Sequence, residues 1–195
     1  MSSLQEVRQN SASTLEQADL AVAGKLLPFS GDVAVRAIGA VSDLSDQEPL
    51  YAAAAGVIAT GVLLRDDWTF QTGLRILASH LLATALRGVI KQTIDRTRPI
   101  AAAERGAYEL GPGQRYEADF NSFPSGHSAG AVAVARVVAR RYPNSSRLAM
   151  SLAAAGSGAQ VLRSKHYLTD VVAGATIGWV AEEVLHALLT RCERI

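Results

Sequence analysis

The chain has 195 residues, with 19 Lys and Arg against 18 Asp and Glu, a formal charge of +1 and one cysteine, Cys192. That length predicts a single domain over residues 1–195 with a real core and a loose polar start at residues 1–12. Balanced charge leaves no basic stripe or tail for a nucleic acid, and a single cysteine excludes an internal disulfide and cannot by itself build a zinc site.

Apolar residues make up 49% of the chain but aromatics only 6%, and alanine supplies much of the difference. Such helices approach one another closely, in membranes as in tight bundles. The first thirty residues carry Glu6, Glu16 and Asp19 and no uninterrupted apolar core, so they do not read as a secretory leader.

In chain order, Ser13 and Glu16 form a capping-box signature for a helix that Pro28 ends. A short helix near 32–42 and an acidic turn from Asp43 to Pro49 follow. Residues 50–64 form an uncharged helix, interrupted by Arg65-Asp66-Asp67. A long helix over 68–94 leads into Lys91-Gln-Thr-Ile-Asp-Arg-Thr-Arg98-Pro99. Residues 100–123, with Gly111-Pro112-Gly113, read as a long polar loop. Helices are then expected over 126–141, 146–162 and 169–191, the first stopped by Tyr142-Pro143-Asn144. No stretch alternates convincingly as a strand, so the prediction is an all-α fold, a single bundle of about six helices.

The uncharged runs at 50–64 and 148–162 fall short of the roughly 20 residues that cross a bilayer core. Arginines at their ends, Arg65, Arg147 and Arg163, can snorkel and extend the fit. Arg75, Arg136, Glu182 and Glu183 lie inside other helices and argue against burial in lipid, as does a mean hydropathy that is only slightly positive. The expectation is nevertheless a membrane-embedded bundle.

Three motifs carry chemistry. In Pro124-Ser125-Gly126-His127, Ser125 suits an N-cap, Gly126 permits close backbone approach, and the free amides of a helix start attract an anion beside His127. A capped helix with an exposed histidine is the plain alternative. Lys91 and Arg98 lie seven residues apart, on one face if the helix runs on, with Arg87 one turn earlier and Arg96 close by. Arginine grips two phosphoryl oxygens and lysine acts as a point charge, although a basic helix end alone is usually solvated. His166 and Asp170 are spaced i, i+4, so that a carboxylate can fix the imidazole tautomer and free the other nitrogen to attack; the same spacing also serves as a simple structural bond. His80 and His186 read as structural, the first buried and hydrogen-bonded, the second paired with Glu182 and Glu183.

Taken in order, K-x6-R-P, P-S-G-H and H-x3-D resemble the type 2 phosphatidic acid phosphatase superfamily, which includes lipid phosphatases, soluble bacterial acid phosphatases and vanadium haloperoxidases. The resemblance covers residues 91–174 and implies a helical bundle. It further implies that His166 is the nucleophile forming a phosphohistidine, that Asp170 orients it, and that His127 protonates the leaving alkoxide. Lys91, Arg98 and the Ser125 and Gly126 amides would hold the phosphoryl oxygens. It implies no metal and no cofactor, a phosphorylated lipid or small phosphoester as substrate, and a multi-pass location in a membrane, the bacterial inner membrane. The third motif usually opens with Ser-Arg; here those positions are Ala159 and Gln160. Arg163, three residues on, is the residue expected to supply the missing cation. The expected reaction is hydrolysis of a phosphomonoester or diphosphate. The alternative is a weakened or inactive member that binds phosphorylated lipid or acts as a scaffold. Vanadate-dependent halide oxidation is a third option, for which the chain is short.

Overall fold

The protein is described by a computed structural model over residues 13–113, 115 and 117–192; the segment expected to be loose, residues 1–12, lies outside the described residues. These contain eight α-helices rather than about six: α1 Thr14–Leu26, α2 Val33–Ser42, α3 Gln47–Leu64, α4 Asp67–Lys91, α5 Pro99–Arg105, α6 Gly126–Arg141, α7 Ser146–Leu162 and α8 Leu168–Cys192. Two short strands, β1 Ile94–Arg96 and β2 Leu110–Pro112, pair antiparallel with Asp95 opposite Gly111.

Local chemistry sets most boundaries. The capping box at Ser13 and Glu16 is formed, and α1 passes at Pro28 into a single 3₁₀ turn. α3 stops where Arg65 turns left-handed, and Asp66 caps α4 by accepting the Trp68 amide at 3.0 Å. The expected long helix ends three residues early, at Lys91, and the chain enters β1. Lys91 and Arg98 therefore share no helix face. Within the stretch read as a polar loop, Pro99 takes the first position of α5, where its fixed φ and missing N–H cost nothing, and Gly106 ends that helix at φ 66°.

Helix α6 is the centre of the bundle. It packs against α4, α7 and α8, while α3 lies along α4 and α2 along α7. Its first half, Ser128 to Ala133, is wholly buried. The α6–α8 contact is close enough that a Cβ at Gly174 would strike the Ser125 carbonyl and one at Gly178 the Ala129 carbonyl. Small residues four apart let two backbones meet in this way. α3, α4 and α8, of 18, 25 and 25 residues, are long and apolar enough to cross a membrane. α7, which holds the uncharged run 148–162, has 17 residues and is not among them. The end of α4, the start of α6, the α7–α8 turn and the α2–α3 turn meet at one end of the bundle, and the three motifs lie on these segments.

Candidate active site

Ser125 caps α6 with its side chain, accepting the Ser128 amide at 3.4 Å, and its own amide donates to the Asp170 carbonyl at 3.0 Å. This ties the second motif to the third. Gly126 faces the Arg87 guanidinium, and a Cβ there would overlap it. Arg87, Lys91 and Arg98 lie near enough to repel one another. The Nε atoms of Arg87 and Arg98, and His127 Nε2, are shielded from solvent without a hydrogen-bond partner. Clustered cations with unmatched donors suit a multivalent oxyanion.

The turn after α7 places the nucleophile candidate. The Gln160 carbonyl accepts the amides of both Lys165 and His166, and Ser164 takes φ 54° to turn the chain. His166 is 4% exposed, and its Nδ1 lies 2.7 Å from the Ser122 carbonyl. A carbonyl only accepts, so Nδ1 carries the proton and Nε2 keeps its lone pair. This departs from the expected direct bond to Asp170, whose Oδ2 lies 3.7 Å from Nδ1. Asp170 bonds the two residues that flank the imidazole instead: Oδ2 accepts the Ser122 hydroxyl at 2.6 Å and the Tyr167 amide at 2.8 Å. It thus holds both the residue that binds the imidazole and the residue next to it in the chain. Burial pushes the His166 imidazole below its ordinary value, with Asp170 pulling it up and Arg98 pushing it further down.

Arg96 is the main residue that motif reading undervalued. It is 3% exposed and donates to Asp170 Oδ1 at 2.6 Å, Asp19 Oδ2 at 2.8 Å, Thr169 Oγ1 at 2.7 Å and the Tyr108 hydroxyl at 3.1 Å. Its guanidinium also lies 4.1 Å from the Tyr167 ring centroid. Burial opposes its charge, but Asp170, Tyr108 and Asp19 outweigh that and hold it more firmly protonated than usual. The signal available in sequence was two arginines two apart before a proline; the partner Asp19, 77 residues earlier, gave none.

Arg163, expected to supply the missing cation, is paired with a carboxylate that flanks His127. Its guanidinium donates to Asp43 Oδ1 at 2.5 Å and to the Gly39 carbonyl at 3.0 Å. That bond holds the Asp43 carboxylate below its usual range. Gln160 is fully buried, and its amide donates to Ser42 Oγ at 2.6 Å. Both side chains therefore fasten α2 to α7. Lys165, next to His166 in the chain, has its Nζ 3.8 Å from Asp43 Oδ1 and lies within the field of Arg98 and Arg163.

His127 Nε2 lies 3.3 Å from Asp46 Oδ1 and 3.6 Å from Asp43 Oδ1. These acids come from the turn before α3, which the sequence marked only as acidic. Among the described residues, Asp43, Asp46 and His127 are the set whose ligand atoms come within 4.8 Å of one another, as a metal site would need. Burial pushes the His127 imidazole below its ordinary value, with Asp46 and Asp43 pulling it up and His166 and Lys165 pushing it further down.

His80 is buried, edge-on to Tyr51 with ring centroids 4.6 Å apart, inside the core. Glu182 and Glu183 engage Arg136 and Arg140 instead of His186.

Residues 72–194 match the model of the PAP2 superfamily. The chain belongs to the PAP2 superfamily. It is a phosphoric ester hydrolase of that family, in a membrane setting. Among solved structures it is similar to the first transmembrane PAP2-type phosphatidylglycerolphosphate phosphatase from Bacillus subtilis. That match has TM-score 0.68 and 18% identity, covering 93% of this chain and 89% of the other. It is also similar to LpxE of Aquifex aeolicus, with TM-score 0.60 and 16% identity, covering 91% and 97%. At these identities the likeness concerns the fold. No curated protein sequence matches the chain.

Proposed function

We propose that this PAP2 protein removes phosphate from a lipid phosphomonoester or diphosphate, without a metal, through a phosphohistidine on His166. The observation that carries this reading is the 2.7 Å contact of His166 Nδ1 with the Ser122 carbonyl, which leaves Nε2 as an unprotonated nucleophile. Arg87, Lys91, Arg98 and the first amides of α6 receive the phosphoryl oxygens. As Nε2 forms its bond to phosphorus, the bond from phosphorus to the leaving oxygen breaks. His127, whose imidazolium form Asp46 and Asp43 favour against burial, gives that oxygen its proton. In the second half, water loses a proton to His127 and attacks phosphorus, and the N–P bond breaks to release phosphate. Lys165, beside His166 in the chain and within the field of Arg98, takes the place of the absent family arginine.

A lipid substrate is supported by the three long apolar helices and by the B. subtilis neighbour, whose own substrate is phosphatidylglycerolphosphate. We place the protein in the bacterial inner membrane as a multi-pass protein. The reading is tested by phosphate release from a panel of lipid phosphates and from a chain-free phosphomonoester. His166→Ala should abolish turnover on all of them. His127→Ala should hit substrates with poor leaving groups hardest, and equal losses on good and poor leaving groups would remove His127 from the acid role. One observation favours a second reading, a member that binds phosphorylated lipid without hydrolysing it: Gln160 and Arg163 are both turned to α2. Affinity without phosphate release across the panel would establish that alternative.

A further inference from the structure

Helix α2 turns its apolar side away from the protein. Along its ten residues the stripe Val35, Gly39 and Ser42 is half-buried or buried, while Val33, Ala34, Ala37, Ile38, Ala40 and Val41 are exposed. Helical spacing puts those six on the side opposite Gly39. Val33 is 82% exposed and Val41 68%, and the exposure continues to Phe29 before the helix and Leu44 after it. Arg36, the one charged residue of α2, lies at the flank of this face.

Polar bonds fix the inward side. A Cβ at Gly39 would overlap the Arg163 guanidinium, which donates to the Gly39 carbonyl at 3.0 Å. Ser42 donates to the Gly156 carbonyl at 2.7 Å and accepts from the Gln160 amide at 2.6 Å. The apolar face is thus held outward by specific contacts. The acids of the segment are placed elsewhere: Asp32 stands at the N-cap, Asp43 bonds Arg163, and Asp46 lies beside His127.

Lipid is the occupant that fits. Four residues after α2 the chain enters α3, which is long and apolar enough to cross a membrane and exposes Val62 and Leu63 in the same way. Ten residues measure about 15 Å, half of a bilayer core, so α2 cannot cross. Its depth is set by α7. Gly39 meets Arg163 just beyond the catalytic end of that helix, and Ser42 meets Gly156, six residues before the end and about 9 Å down the axis. A helix lying in the interface sinks its apolar side by about 5–10 Å, which matches. Arg36 at the flank can snorkel to the headgroups.

We propose that α2 is an interfacial anchor, with Val33, Ile38 and Val41 seated in the lipid leaflet at the catalytic end, and that its partner is the membrane surface. Asp43 and Asp46 continue the same segment, so lipid seated on α2 also sets the depth of His127. The test uses the full chain with Cys192→Ser in vesicles of phosphatidylglycerol and phosphatidylcholine. It is labelled with an NBD fluorophore at Val33→Cys, Val41→Cys or Ala55→Cys, the last exposed midway along α3. Nitroxides at the headgroup, high on the acyl chain and near its end report depth. The α2 labels should be quenched most by the high acyl nitroxide and the Ala55 label by the terminal one. Labels on α2 quenched by aqueous iodide and by no lipid nitroxide, or as deep as Ala55, would overturn the proposal. Shielding from iodide that is lost on dilution into excess lipid would assign the face to a second copy and overturn it equally. A second measurement uses Val33→Asp, which removes no packed contact and places an acid in the first turn, where it suits the helix. It should lower kcat/KM on a lipid phosphate in vesicles by about tenfold, the effect of losing one valine's burial, and leave a chain-free phosphomonoester unchanged. An unchanged rate on the lipid would count against the anchor. Quenching needs no turnover, so failure of the proposed reaction would leave that arm readable.

Discussion

Arg96 joins two carboxylates that the fold buries, Asp170 beside His166 and Asp19 from the first helix. Removing one member of a buried ion pair leaves an uncompensated charge, which costs about 3–5 kcal/mol. Arg96→Met should therefore lower stability by about 3 kcal/mol in denaturant unfolding and remove most turnover. Arg96→Lys should recover stability better than rate, because a point charge cannot serve four acceptors in fixed directions. Asp19→Asn should reproduce a milder version of the same defect. A second prediction concerns pH. Burial holds the His166 imidazole below its ordinary value, so the acid limb of kcat/KM should fall below about 6.5, the unperturbed value. For stability, the neutral imidazole is the form the fold accommodates. Its contribution is present in full above the unfolded pKa and is lost as pH falls from there through the lower folded one. Asp170→Asn removes the group that raises the imidazole and should move that limb lower still. The three motifs were legible because each combines residue types with spacing set by one local segment. Arg96, Asp46 and Lys165 were not, because their partners lie in distant segments that only the packed bundle brings together.

At the scale of elements, the site depends on how closely α6 and α8 approach. Gly174 faces the Ser125 carbonyl, and Ser125 both caps α6 and bonds the Asp170 carbonyl. Gly174→Ala should push the two helices apart at that point, costing about 1–3 kcal/mol as overpacking does, and should lower kcat with the soluble substrate. Gly178→Ala, one turn further from the site, should show a comparable drop in Tm with a smaller loss of rate. Arg163 belongs at this scale too, since it fastens α2 to the α7–α8 turn. Its partner Asp43 is 42% exposed, so Arg163→Ala should cost no more than about 1 kcal/mol. Arg98→Ala should abolish turnover while Arg163→Ala leaves most of it; parity between them would restore Arg163 to the phosphate pocket. The elements missed in sequence were α5 and the β1–β2 pair. Seven helical residues and two three-residue strands carry too little periodicity to be read, and Gly111-Pro112-Gly113 suggested only a loop.

Over the whole molecule, an all-α bundle in a membrane was legible from apolar helices broken at Pro28, Arg65-Asp66-Asp67 and Pro143. The expected count came close to the eight helices among the described residues; a short connecting helix such as α5 has no apolar stripe of its own to announce it. The fold also separates two kinds of charge. Cations with unmatched donors gather where α4 ends and α6 and α8 begin, while arginines paired with glutamates hold the far ends of α6 and α8 together. The first group is the one the proposed reaction uses, with His166 as the proposed nucleophile. The most direct measurement is rapid quenching of the enzyme with a ³²P-labelled lipid phosphate, followed by peptide mapping of the labelled chain. A phosphohistidine on His166 predicts transient label, stable to base and labile to acid, on the peptide containing that residue and absent from His166→Ala. Turnover with no labelled enzyme, or label on His127 that persists in His166→Ala, would contradict it.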